Sequence, residues 1–365
     1  MANTSFRSVP INIKAIGVGG GGCNAINRMV RADIQGVDFI AVNTDAQVLM
    51  MNEAPTRVQI GQKITGGLGA GGDPGRGQQA AQESVDELRQ VIGSPHMVFI
   101  ATGMGGGTGT GASSVIARLA RESGALTIAI VTKPFNFEMA RRMQIAEEGI
   151  TELAEAVDAM IVIPNERLLS ITGEKVTVDA AFKTADDILM IGVRAITEVI
   201  TVPGLINLDF ADVSAIMNNA GQCWLSIGYG TGQNRVVEAA RAAISSDLLE
   251  VPIEGATGVL YVVSGAANLT LSEVSQAATV IESAVDEEAM VIFGVTTDPR
   301  LDNDVRITLV ATGFSAVREV TAARRDEEFR GLIRELEADE SRLEAPAFMR
   351  RPVTMRRMSR KRPGE

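Results

Sequence analysis

The chain contains a single histidine, His96, and one tryptophan, and aromatic residues make up only 4% of it. One histidine excludes Ser-His-Asp and Cys-His triads and most zinc sites. His96 stands beside Pro95 ahead of the apolar run "HMVFIA" and reads as the residue that begins a strand. Cysteine is as scarce: Cys23 and Cys223 are 200 positions apart. They form neither a metal-ligand spacing nor a disulfide framework, which fits a reducing compartment. Excess positive charge is missing too. A net charge of -11 argues against nucleic acid as the main partner, because a polyanion needs a basic footprint. No stretch approaches the eighteen or so uncharged apolar residues that span a bilayer, and the start lacks a signal-peptide core. A soluble cytoplasmic protein is expected. Catalysis, if any, falls to carboxylates, backbone amides, a metal or a cofactor.

What the chain has in quantity is glycine, 37 residues, much of it in two runs. "GVGGGGCNAINRM" covers Gly17 to Met29 and "ATGMGGGTGTGASS" covers Ala101 to Ser114. Each follows an apolar strand pattern, "INIKAIGV" and "MVFIATG". Further strand patterns are "VDFIAVN", "ALTIAIVT" and "DAMIVIPN", separated by helical stretches such as "QQAAQESVDELRQVI" and "MARRMQIAEEGITELAEA". Strands this apolar, alternating with helices, predict a parallel sheet covered on both faces, with ligands at the strands' carboxyl ends. A long helix is predicted over Thr177 to Ile200, stopped by Pro203 and Gly204. A second α/β region follows, with strands at "WLSIGYG", "TGVLYVVSG", "MVIFGVTT" and "VRITLVATG".

The first run matches G-x-G-x-x-G as Gly17, Gly19 and Gly22, between a strand and a helix, so a dinucleotide fingerprint is open. That reading wants an acidic residue about 20 positions on. The second strand ends in "VNTD", which puts Asn43 first and Asp45 just beyond, an imperfect fit. A P-loop is excluded, since no Gly-Lys pair exists in the chain. Small residues in succession leave amides free to point at one anion, and Thr108 and Thr110 add hydroxyls. A dinucleotide needs only one such nest. Two at one sheet edge favour a mononucleotide triphosphate. A third stretch, "GLGAGGDPGRG" from Gly67, reads as a mobile loop able to close over the same phosphates.

The second run, with "AVNTDAQVL", "GLGAGG", "VTKPFNFE", "IPNERLL", "PGLINLDFADV" and "RITLVATGF", resembles the tubulin superfamily from about residue 11 to 315. Within it the match is to the FtsZ family of bacterial cell-division GTPases. The resemblance implies an α/β fold. A Rossmann-like parallel-sheet GTP-binding domain (11–176) and a long central helix (177–202) precede a smaller α/β C-terminal GTPase-activating domain (203–316). It implies that Gly20, Gly21, Gly22, the Cys23 backbone and Asn24 line the first phosphate loop. Gly103, Gly105, Gly106, Gly107, Thr108 and Gly109 would wrap the β- and γ-phosphates. Thr132, Pro134 and Glu138 would border the ribose, with Arg142 and Asn165 nearby, and Arg28, Asn43 and Gly71 would join the contact set. Phe182 would stack on the base, and Asp186 would accept from guanine's paired donors. Without the resemblance, Phe182 reads as core and Asp186 as a solvated face.

The nucleotide half has no evident acid or base for water. The resemblance implies supply in trans: Asn207, Asp209 and Asp212 of one copy would face the γ-phosphate of the next, with Mg²⁺ carried by GTP rather than by fixed protein ligands. By spacing alone, Asp209 reads as a helix cap. A site split between opposite ends of a molecule builds head-to-tail filaments. The resemblance therefore implies a division-ring filament beneath the inner membrane, with GTP hydrolysed to GDP and phosphate and filament turnover driven by that hydrolysis. A dehydrogenase and a non-hydrolysing filament protein remain open as other classes.

The first ten residues read as a flexible segment. After residue 316 a charged linker (317–344) looks short for the family. The last 21 residues, 345–365, hold seven Lys/Arg and one Glu. Their head, "APAFMRR", resembles the family's C-terminal peptide for membrane-anchoring and regulatory division proteins, and the basic extension is expected to touch anionic lipid.

Overall fold

The computed structural model describes residues 11–172, 176–201, 206, 208–246, 248 and 253–314. The N-terminal segment, Pro203 and Gly204, Asn207, the charged linker and the terminal peptide, all singled out above, lie outside the described residues.

Among the described residues, ten strands make one sheet. They are β1 (Ile13–Val18), β2 (Val37–Asn43), β3 (Thr56–Gln59), β4 (Met97–Gly103), β5 (Leu126–Lys133), β6 (Ala159–Pro164), β7 (Gly221–Gly230), β8 (Gly258–Gly265), β9 (Met290–Thr297) and β10 (Val305–Thr312). Their order across the sheet is β3-β2-β1-β4-β5-β6-β7-β10-β8-β9. All pairs from β3 to β7 are parallel; β10 runs antiparallel to β7 and β8, and β8 and β9 are parallel. The two α/β halves expected from the sequence therefore share a sheet, joined where β6 pairs with β7 over Ala159–Gly221, Met160–Gln222 and Ile161–Cys223.

The helices of the first half are α1 (Gly19–Arg31), α2 (Ala46–Met50), α3 (Gln62–Thr65), α4 (Pro74–Glu83), α5 (Val85–Ile92), α6 (Thr108–Glu122), α7 (Ala140–Ala154) and α8 (Asn165–Thr172). Then come α9 (Val178–Thr201), α10 (Phe210–Met217), α11 (Arg235–Ile244) and α12 (Leu271–Glu282). Successive side chains of a strand point to opposite faces. In β1, Ile13 and Ala15 join the core beneath α1 and α9, while Ile16 and Val18 join the core beneath α4, α5 and α6. Both faces need cover, which is why these strands are apolar throughout. A third core, around Trp224, Tyr261 and Leu309, packs α11 and α12 on the second half.

Helix α9 has 24 residues and is about 36 Å long. A Cβ built on its Gly192 would stand 3.1 Å from Ile130 Cδ1 of β5 and 3.4 Å from Leu225 Cδ2 of β7. Glycine there lets the helix lie close on the seam between the halves. Arg194 Nη2 donates to Asp298 Oδ2, just past β9, at 3.2 Å and ties α9 to the second half.

Candidate functional site

Both glycine runs sit at the carboxyl ends of neighbouring strands, β1 and β4, and each opens a helix. They touch backbone to backbone. A Cβ on Gly19 would stand 2.7 Å from the Gly109 amide nitrogen, and one on Gly21 would stand 3.3 Å from that of Gly103. Gly19 also has φ +72°, a left-handed conformation that favours glycine. Helices α1 and α6 start with no side-chain cap and no acidic residue in the first turn. Their leading N–H groups and positive dipole ends lie side by side, an arrangement suited to an extended anion. By contrast, Asp45 and Asp73 cap α2 and α4.

The threonines of the second run are tied into the protein. The Thr108 and Thr44 hydroxyls lie 2.6 Å apart, and Thr110 Oγ1 accepts from the Gly105 amide at 2.9 Å. Thr110 thus shapes the turn. Thr102 Oγ1 donates to the Val18 carbonyl at 3.0 Å and fastens the two strand ends together. Thr44 and Thr102 escaped the reading of the sequence; a threonine closing an apolar strand is the signal that marks them. The third glycine stretch is seated rather than free-standing: a Cβ on Gly107 would stand 2.8 Å from the Ala70 Cβ, and one on Gly77 2.3 Å from the Gly107 carbonyl oxygen. Gly71 is exposed at φ +65° in that turn.

From the glycine runs the site continues across the strand ends. A Cβ on Gly103 would meet Thr132 Oγ1 at 3.5 Å, and one on Gly105 would meet Pro134 Cγ at 3.4 Å and the Arg142 carbonyl oxygen at 2.7 Å. Gly106 has open space around it, as does Gly20. Glu138 is occupied on both oxygens. Oε1 accepts from the Phe135 amide at 2.9 Å, and Oε2 pairs with Arg142 Nη1 at 3.2 Å. Asn165, which opens α8, is 4% exposed, and its Oδ1 has no hydrogen-bond partner among the described residues.

On the other side, α1 and α9 enclose a cleft of about 540 Å³. Asn24, Arg28, Phe182 and Asp186, all expected at the site, line it together. Phe182 is 39% exposed; its ring stands edge-on to Phe135 at 5.4 Å and to Phe137 at 6.2 Å. Burial pushes the Asp186 carboxyl up to about 6, although Arg28 beside it opposes the rise. Cys23 has only its backbone to offer a ligand. Its side chain is wholly buried against Asn43 Nδ2 and the Val42 carbonyl, and burial pushes the thiol up to about 12.

Asp209 and Asp212 stand elsewhere. Phe210, the first residue of α10, packs edge-on against His96 at 6.1 Å, and His96 immediately precedes β4. Phe210, Ser214 and Asn218 line a cleft with Leu126 and Asp158, at the amino ends of β5 and β6. The seven residues of β4 separate the two ends by roughly 20 Å. Asp209 occupies the N-cap position of α10 yet accepts no capping hydrogen bond. Both side chains are exposed, and neither carboxylate has a partner among the described residues. Nor do any three His, Cys, Asp or Glu side chains among the described residues cluster as a metal cradle.

Two family profiles match the chain. The Tubulin/FtsZ family GTPase domain covers residues 12–173, and the FtsZ family C-terminal domain covers residues 221–315. Among solved structures, an empty FtsZ dimer from M. jannaschii is 44% identical, covering 85% of this chain and 90% of that one with a TM-score of 0.82. CetZ1 from Haloferax volcanii, a GDP-bound monomer, matches at 20% identity over 87% of this chain and 100% of its own, with a TM-score of 0.72. CetZ2 from the same organism, a GTPγS-bound protofilament, matches at 18% over 88% and 99%, with a TM-score of 0.67. At those identities the two CetZ likenesses concern the fold.

Proposed function

The chain belongs to the Tubulin/FtsZ family and carries its GTPase domain, and from that premise we propose that it is a filament-forming protein of cell division that hydrolyses GTP between copies. The triphosphate lies along the two uncapped helix starts, gripped from two strand ends. The cleft between α1 and α9 takes the base, with Phe182 against its face and Asp186 accepting from guanine's N1–H and 2-amino group. Thr132, Pro134, Glu138 and Arg142 border the ribose, and the unpartnered Asn165 Oδ1 suits a hydroxyl donor there.

The observation that carries the proposal is the separation of the two halves. Asp209 and Asp212, without partners among the described residues, stand at the end of the sheet opposite the glycine runs, roughly 20 Å from them along β4. One copy cannot bring them to its own nucleotide; the next copy in a head-to-tail row can. There they orient a water in line with the γ-phosphorus and take its proton. The bond to the β-phosphate oxygen then breaks, leaving GDP and inorganic phosphate. Mg²⁺ held by the triphosphate itself, rather than by fixed protein ligands, would offset phosphate charge there. The dimer described for the FtsZ relative supports self-association.

The terminal peptide docks membrane-anchoring and regulatory division proteins at the inner membrane, and its basic extension adds contact with anionic lipid. Light scattering and phosphate release after adding GTP and Mg²⁺, with ATP as control, test the proposal. Both signals should rise with GTP alone. Scattering without phosphate release would point to a non-hydrolysing filament, and neither signal would contradict the proposal outright.

A further inference from the structure

The cleft between α1 and α9 holds more charge than reading a base requires. Asp186 and Asp187 both face one guanidinium, that of Arg28. Arg28 Nη1 lies 2.5 Å from Asp187 Oδ1, whereas its Nε lies 3.5 Å from Asp186 Oδ2. The shorter contact goes to the more exposed carboxylate, 42% against 16%. Arg28 is anchored by Asp187 and leans on Asp186. The other cations of the cleft are engaged elsewhere: Arg31 forks onto Glu53, and Lys183 pairs with Asp179 at 2.6 Å.

Asp186 can offer two different edges. As an anion it presents two acceptors, matching guanine's N1–H and 2-amino donors. As a neutral acid it presents one donor and one acceptor, matching adenine's N1 and 6-amino group. The balance between these forms is close to even near pH 6, and the anion leads at neutral pH. Burial pushes the carboxyl up to about 6, Arg28 pulls it down, and Asp187 beside it pushes it up again.

We infer that Arg28, anchored by Asp187, is the residue that determines base selectivity in this cleft, by holding Asp186 as the anion that accepts from guanine. Arg28 acts through Asp186, so it is a positioning residue. The inference rests on the reading of this cleft as the base end of a GTP site.

Calorimetric binding of GDP and of ADP to the full chain, from about pH 5 to about pH 8, tests it. Diphosphates keep hydrolysis out of the measurement. The β-phosphate titrates in the same range, and the GDP-to-ADP affinity ratio cancels it because both nucleotides carry it. In the unaltered chain the preference for GDP should shrink as pH falls through about 6. Arg28→Gln should move that midpoint upward and lower the ratio at neutral pH roughly tenfold, one pKa unit being a factor of ten. Arg28→Lys should keep most of the ratio. Asp187→Asn removes the like charge and frees Arg28 to turn onto Asp186, so it should move the midpoint down. Shifts in opposite directions do not come from a loosened cleft. Midpoints that stay put, or move the same way in Arg28→Gln and Asp187→Asn, would overturn the inference while GDP preference upheld the cleft assignment. Absence of any GDP preference at about pH 8 would instead refute the assignment itself. If circular dichroism shows Arg28→Gln unfolded, the direction of the Asp187→Asn shift decides alone.

Discussion

The two ends of this sheet are built on opposite plans. At the carboxyl ends of β1 and β4, helices α1 and α6 begin with glycines, bare amides and no acid. At the amino ends, α10 begins with one aspartate at its cap position and another three residues on, neither with a partner among the described residues. One end is short of negative charge and the other holds negative charge it does not use. Asp45 sharpens the contrast, because the same residue at the same helix position accepts from the Gln47 and Val48 amides. An aspartate at a helix start is a cap only where its side chain turns back. On the proposed reading each end is half of a site, and the halves would meet across two copies.

Breaking the acidic end should have the largest effect. Asp212→Ala is expected to lower phosphate release on the order of 10²–10⁴-fold while GTP affinity, measured by calorimetry, stays as before. Unchanged hydrolysis would remove Asp212 from the mechanism. Next comes the glycine end. A Cβ on Gly109 would stand 2.5 Å from Thr102 Oγ1 and 2.8 Å from the Gly103 carbonyl oxygen. Gly109→Ala should therefore displace the turn and weaken GTP binding on the order of 10²-fold, with hydrolysis lost in proportion.

Smaller effects separate the two aspartates by role. In urea denaturation, Asp45→Ala should cost about 1 kcal/mol, the ordinary loss of a cap. Asp209→Ala should stay within about 0.5 kcal/mol, because no cap is lost. Equal costs would mean Asp209 caps α10 in solution. The smallest expectation is of no change. Cys23, in the middle of the first glycine run, should resist thiol labelling in the native chain at about pH 8, since burial holds the thiol up at about 12. Rapid native labelling would contradict its assignment to backbone contact alone.

Much of the fold was legible because the strands are so apolar. "VDFIAVN", "MVFIATG" and "MVIFGVTT" coincide with β2, β4 and β9. The failures have physical causes. Helical periodicity begins at Asn24, yet α1 begins at Gly19, since packing on Gly103 and Gly109 overrides glycine's poor helix propensity. The helix expected over 78–92 is two helices, broken at Ser84, whose Oγ accepts from the Gly61 amide at 3.2 Å. Strand β3 is four residues at the sheet's edge with Arg57 and Gln59 in it, too short and polar to carry a pattern. At the candidate site, the proposed phosphate end was visible as glycine spacing. The proposed base end was not, because Phe182 and Asp186 look like ordinary residues of an amphipathic helix, and only the family resemblance marked them.

Mixing two disabled chains tests the split site most directly. Asp212→Ala keeps its nucleotide end, and Gly109→Ala keeps its acidic end. Each alone should release little phosphate from GTP. Mixed, they should form interfaces in which Asp212 of the glycine variant meets the GTP held by the other, and phosphate release should rise to a maximum near equal amounts. A mixture no more active than the sum of its parts would contradict a site shared between copies.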